Sequence, residues 1–136
     1  MLSGFDIEGN RFDRGAGDHV LQLGGGRNVR FVGNVLNDSG TVAFDNRGMG
    51  WDKGGCRAGG NPYDFLARVP YSDPNGPYAK YQDMINILSD DPCRPKYNEL
   101  SNNLLCGSAK DITSISAATI TSWGSSATNN TYTSVC

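Results

Sequence analysis

The chain has 136 residues, 18 of them Gly, and a formal net charge of −2, with an isoelectric point near 5.2. That length supports one modest domain, and the charge balance leaves no basic stripe of the kind a nucleic-acid partner needs. No apolar run approaches the ~20 residues of a membrane-spanning helix, so no membrane span is expected.

Three stretches match at fixed offsets: Ile7, Asn10 and Phe12; Phe31, Asn34 and Leu36; Leu100, Asn103 and Leu105. Each reads apolar, Asn three residues on, apolar two later. The first two copies lie 24 residues apart, a period typical of stacked-coil folds. Alternation at period two marks half-buried strands. The Asn is read as the bend residue, because Asn tolerates left-handed backbone and bonds its own main chain. In a stack, Asn at one bend also bonds Asn at the bends above and below. A second wall follows in step, residues 20–23 and then 41–44. The pattern predicts an all-β parallel β-helix of about three to four coils. The competing reading is a small antiparallel sandwich with chance Asn turns.

In chain order, residues 1–46 are expected to form coils. Met1-Leu2-Ser3-Gly4 lacks a charged-then-apolar signal layout and enters a coil at once. This suggests a start inside a larger β-helix, or a neighbouring chain over the first coil. Residues 47–96 are an excursion of different chemistry. Within it Tyr78, Tyr81, Ile85 and Leu88 share one face at helical period, with Pro77 suited to the first turn and Pro92 past the end. A helix over 78–89 is expected to cover an exposed apolar edge or to pack on the flank of the stack. Residues 97–123 return to the coil pattern, with Ile112, Ile115 and Ile120 inward. Residues 113–136 hold 12 Ser or Thr among 24. The tail, 124–136, is either a last polar coil or an extended, O-glycosylated strand.

Cys56, Cys93, Cys106 and Cys136 form no CxxC pair, and one His argues against zinc. Two disulfides and an oxidising compartment are expected. Three pairings are possible; Cys56–Cys93 with Cys106–Cys136 is favoured because each closes a local segment. Asn37-Asp38-Ser39 and Asn129-Asn130-Thr131 are N-glycosylation sequons. Together these features point to a secreted glycoprotein.

Candidate chemistry concentrates after residue 44. Trp51, Tyr63, Phe65, Tyr71, Tyr78 and Tyr81 are six of the 13 aromatics. Flat rings beside polar groups suit sugars, so Trp51, Tyr63 and Tyr71 are candidate carbohydrate-binding residues. The competing role is the core of the excursion. Asp45 and Asp52 are candidate glycosidase carboxylates. Arg47 or Lys53 is the candidate base of a lyase, in which Ca²⁺ would acidify a proton beside a uronate. No metal or other cofactor is otherwise expected. His19 reads as a turn residue rather than a base, and Gly24-Gly25-Gly26 lacks the context of a phosphate loop.

The stretch from Asn34 to Asn46, then Arg47-Gly48-Met49-Gly50-Trp51, resembles secreted right-handed parallel β-helix proteins of pectate-lyase-like fold. Val69-Pro70-Tyr71, Tyr81 and the run Asp91-Pro92, Pro95, Asn98 fit the same group. The resemblance covers roughly residues 5–106. It implies a right-handed β-helix. Members of that group resemble pectate, alginate and chondroitin lyases and polygalacturonases in fold, and many have no assigned substrate. Two functions follow. One is an extracellular structural or carbohydrate-associated glycoprotein that self-assembles through its open coil ends, up to a filament. The other is a polysaccharide lyase or glycoside hydrolase for an acidic polysaccharide, present as a fragment. The coil number is small for a catalytic groove, which favours the first. Expected partners are further copies of the chain, or a larger β-helix assembly, and glycans.

Overall fold

A computed structural model describes residues 4–15, 17–44, 73–81, 85–91, 94–107 and 111–136. They are mostly β, in parallel sheets with few helical residues. The first sheet runs β1 (Asp6–Glu8), β4 (Arg30–Val32), β7 (Glu99–Ser101), β9 (Ser126–Thr128). The second runs β2 (Arg11–Asp13), β5 (Val35–Asn37), β8 (Leu104–Cys106), β10 (Thr131–Thr133). The third pairs β3 (His19–Leu23) with β6 (Thr41–Phe44). The chain visits the sheets in rotation, so each pass lays its strands beside those of the pass before. In the third pass the Ile112 carbonyl accepts from Val42 N–H at 2.8 Å, extending the third wall. Every pairing is parallel, which leaves no place for the antiparallel sandwich among the described residues.

Strands this short need sharp, repeated bends, and the backbone shows where they fall. Gly9, Gly33, Asn102 and Asn129 have φ between +54° and +65°. Each immediately precedes a ladder Asn. The left-handed residue is therefore not Asn10, Asn34 or Asn103, as the repeat suggested, but the one before it, where only Gly or Asn adopts that conformation cheaply. A second row, Gly4, Asn28, Tyr97 and Gly124, is left-handed as well, φ +53° to +65°.

The ladder Asn has another task. Asn34 Oδ1 accepts from Asn10 N–H at 2.9 Å, Asn103 Oδ1 from Asn34 N–H at 2.9 Å, and Asn130 Oδ1 from Asn103 N–H at 3.0 Å. Each Nδ2 also donates to a carbonyl of the preceding pass: Asn34 to Ile7 at 2.9 Å, Asn103 to Phe31 and Asn130 to Leu100 at 3.0 Å. These side chains satisfy main-chain groups that the bend takes out of the sheet. Asn98 does the same at the second corner, accepting from Val29 N–H at 2.9 Å and donating to Gly26 O at 3.0 Å.

Apolar residues stack in register inside. Ile7, Phe31, Leu100 and Ala127 form one row; Phe12, Leu36, Leu105 and Tyr132 another. Phe31, Leu36, Leu100 and Leu105 have no exposed surface, and each such side chain contributes about 1.5–3 kcal/mol by burial. Phe12 stacks on Phe31 with ring centroids 5.7 Å apart.

The third pass contains a helix, α1 (Ala117–Ser122), capped by Ser116, whose Oγ accepts from Thr119 N–H at 3.3 Å. Its Ile120 is buried, as is Ile112, while Ile115 is half-buried. The Ser/Thr-rich tail forms β9 and β10, a fourth copy of the repeat (Ala127, Asn130, Tyr132). The helix expected over 78–89 runs partly outside the described residues. Among those described, residues 74–80 form turns, Ile85 is α-helical with its N–H donating to Tyr81 O at 3.4 Å, and Ile87–Ser89 is a 3-10 helix.

Candidate functional site

Asp45, Arg47, Trp51, Asp52, Lys53, Tyr63 and Tyr71 lie outside the described residues, as do Cys56 and Cys93. Cys106 and Cys136 form a disulfide with Cα atoms 5.3 Å apart, tying the tail to β8. Of the sequon asparagines, Asn37 sits within β5 and donates from Nδ2 to Asp13 Oδ1 at 2.8 Å. Its sequon Ser39 is buried and donates from Oγ to Phe12 O at 2.8 Å. Asn129 is exposed on the outermost bend.

A charged cluster that no motif announced stands where the excursion rejoins the stack. Arg27 is 1 % exposed. Its Nη1 meets Asp90 Oδ2 at 2.5 Å, and its Nη2 donates to the carbonyls of Asp90 and, at 2.9 Å, Asp91. Lys96 Nζ donates to Asp90 Oδ1, and Tyr97 Oη donates to Asp90 Oδ2 at 2.8 Å. Both cations face the Tyr97 ring, Arg27 at 5.7 Å and Lys96 at 5.3 Å from its centroid. Tyr97 occupies the left-handed row at φ +58°, strained for a bulky residue. Its ring lies where a Cβ on Gly124 would stand, at 2.7 Å.

The electrostatics assign this cluster a clasp's work. Burial disfavours the Asp90 carboxylate, but hydrogen bonds from Lys96, Tyr97 and Arg27 outweigh it and hold its pKa below 3.8. Burial likewise opposes the Lys96 charge, and Asp90 overcomes that, raising the ammonium above 10.5. The hydrogen bond to Asp90, then burial, raises the Tyr97 hydroxyl above 10.0. Near neutral pH neither Lys96 nor Tyr97 is a base. The cluster ties Asp90, Asp91, Lys96 and Tyr97 to Arg27, and a lone Arg at a β-bend offered no sequence signal of it.

The two outer passes form the other candidate surface. At the first, Asn10 Nδ2 finds no earlier carbonyl among the described residues and turns back to Glu8 O at 3.0 Å. At the last, Tyr132 is 46 % exposed, and a groove of about 310 Å³ opens among Ile112, Ile115, Ile120, Ala127, Asn130 and Tyr132. The repeat was readable there, but Ala127 and the flanking Ser and Thr masked its apolar signature.

Among the described residues no group of three or more His, Cys, Asp or Glu is placed to hold a metal ion, and no helix is long and apolar enough to cross a membrane. Comparison of the chain with protein-family models, curated proteins and solved structures finds no match in any of the three.

Proposed function

We propose that the chain is a short right-handed parallel β-helix. It acts as an extracellular structural, carbohydrate-associated glycoprotein that self-assembles through the ends of its stack. The observation that carries this reading is the pair of outer passes. Their strands β1, β2, β9 and β10 pair on one side only among the described residues, and exposed parallel edges of this kind recruit further strands. The rotation of the chain through three parallel walls supports the β-helix. The Cys106–Cys136 disulfide and the exposed sequon at Asn129 support an oxidising, glycosylating compartment.

The resemblance also implies a lyase or hydrolase for an acidic polysaccharide. The charged cluster lends that reading no base, and its candidate residues lie outside the described set. Native mass spectrometry and electron microscopy of the purified glycosylated chain test the assembly. Rods or higher oligomers are expected; a monodisperse monomer at every concentration overturns it. Ultraviolet-absorbing products from pectate or alginate, lost in Arg47→Ala, would instead favour the lyase.

A further inference from the structure

The Asn ladder has a direction, and the direction selects the partner. In every internal rung, the Asn of one pass reaches back: its Oδ1 accepts the N–H of the preceding Asn, and its Nδ2 donates to the carbonyl three residues before that Asn. Beside the ladder, one main-chain bond per rung also reaches back, while Gly9, Gly33 and Asn102 N–H donate forward to Val32, Ser101 and Thr128 carbonyls. Val35 N–H donates to Asn10 O, Leu104 N–H to Asn34 O and Thr131 N–H to Asn103 O, each at 2.8 Å. The first pass therefore presents a reaching Asn10, and the last presents an Asn130 bend to be reached. Two first passes, or two last passes, cannot satisfy each other in this way.

We infer that the partner of the last pass is the first pass of a second copy of this chain, stacked head to tail in the ladder's own register. This rests on the self-assembly reading above and specifies its geometry. Asn10 of the second copy accepts from Asn130 N–H and donates to the Ala127 carbonyl, as Asn34 does with Asn10 and Ile7. Arg11 N–H of that copy donates to Asn130 O. Asp6, Ile7 and Glu8 then face Ser126, Ala127 and Thr128, and Phe12 faces Tyr132.

The side chains fit this order. The inner row runs Ile7, Phe31, Leu100, Ala127, so its bulk falls to a methyl where the groove opens. Ile7 and Phe12, half-buried on the first pass, bring bulk to that gap. On the outer row, Asp6 meets the neutral Ser126 rather than another carboxylate. A contact that repeats without closing builds a linear assembly.

Cysteine pairing reads the register. Strands in register lie about 4.8 Å apart, within the Cα separation a disulfide tolerates. Asp6→Cys and Ser126→Cys are made as single variants of the full chain, one mass-tagged, then mixed under mild oxidant. The expected product is the Asp6→Cys/Ser126→Cys heterodimer. The pair Glu8→Cys/Ser126→Cys, offset by two residues, forms at least tenfold less. Asn10→Ala weakens association by about tenfold, as the loss of one rung's bonds implies. Oligomers that persist with like-with-like crosslinks, or with the offset pair dominant, overturn the register and leave self-assembly standing. A chain that stays monomeric overturns both.

Discussion

Asn103 holds Asn34 from the next pass, with its Oδ1 2.9 Å from the Asn34 amide nitrogen, while its Nδ2 donates to Phe31 O at 3.0 Å. Both Asn side chains are buried, at 1 % and 0 % exposure. One side chain thus closes two main-chain groups that water cannot reach. Asn103→Ala is expected to cost about 2–4 kcal/mol, because two buried polar groups lose their partner. Asn10→Ala, on an exposed bend, is expected to cost under about 1 kcal/mol. Urea denaturation of the two variants checks this; equal losses would mean the ladder adds nothing beyond side-chain packing.

Gly33 and Gly124 share φ +65°, but only Gly124 has a ring over it, with Tyr97 ring carbons 2.7 Å from where a Cβ would stand, while nothing lies within 4 Å of that position at Gly33. Gly33→Ala should cost about 1–2 kcal/mol, the left-handed penalty alone. Gly124→Ala should cost about 1–3 kcal/mol more, through overpacking. A double-mutant cycle with Tyr97→Ala isolates the ring contact, and the excess should vanish in that background.

The Cys106–Cys136 bridge spans 30 residues. Cys136→Ser is expected to lower stability by about 2–4 kcal/mol and to speed amide hydrogen exchange at residues 131–133 first, since β10 pairs only with β8 among the described strands. Uniform acceleration across all four passes would count against a local role for the bridge.

The clasp predicts two pH limits. Asp90 is held below 3.8 in the folded chain, so its contribution is present above that value and is lost as pH falls through the lower, folded pKa. Tyr97 and Lys96 are raised above 10.0 and 10.5; their contributions hold below those values and fade as pH rises through the folded ones. Asp90→Asn removes the shared partner. The stability difference between wild type and Asp90→Asn, followed by chemical denaturation across pH, should plateau between these limits and shrink beyond each. A difference independent of pH would show that Asp90 acts by packing alone.

Much of the fold was legible because its signal is local and repeated. Ile7, Phe31 and Leu100 sit three residues before an Asn, and period-two alternation fixes which side of a strand is buried. The fourth copy was written in the same code at Ala127, Asn130 and Tyr132, yet a methyl among hydroxyls does not look like a core row. The Cys106–Cys136 pair followed from nearness along the chain. The charged clasp did not, since Arg27 and Asp90 stand 63 residues apart and neither belongs to a motif.

What the sequence by itself determined is the repeat: strands, bends and an Asn at each, because dihedral preference and alternation act within a few residues. Only the tertiary structure decided how those residues divide the work. Stacking showed that the residue before each Asn takes the left-handed turn, while the Asn spends its amide on the neighbouring pass. It also put Tyr97, a ring in a glycine's conformation, against Gly124 with its hydroxyl on Asp90. Both outcomes depend on which main-chain groups the stack brings within hydrogen-bond reach, and that distance is set by chain passes far apart in sequence.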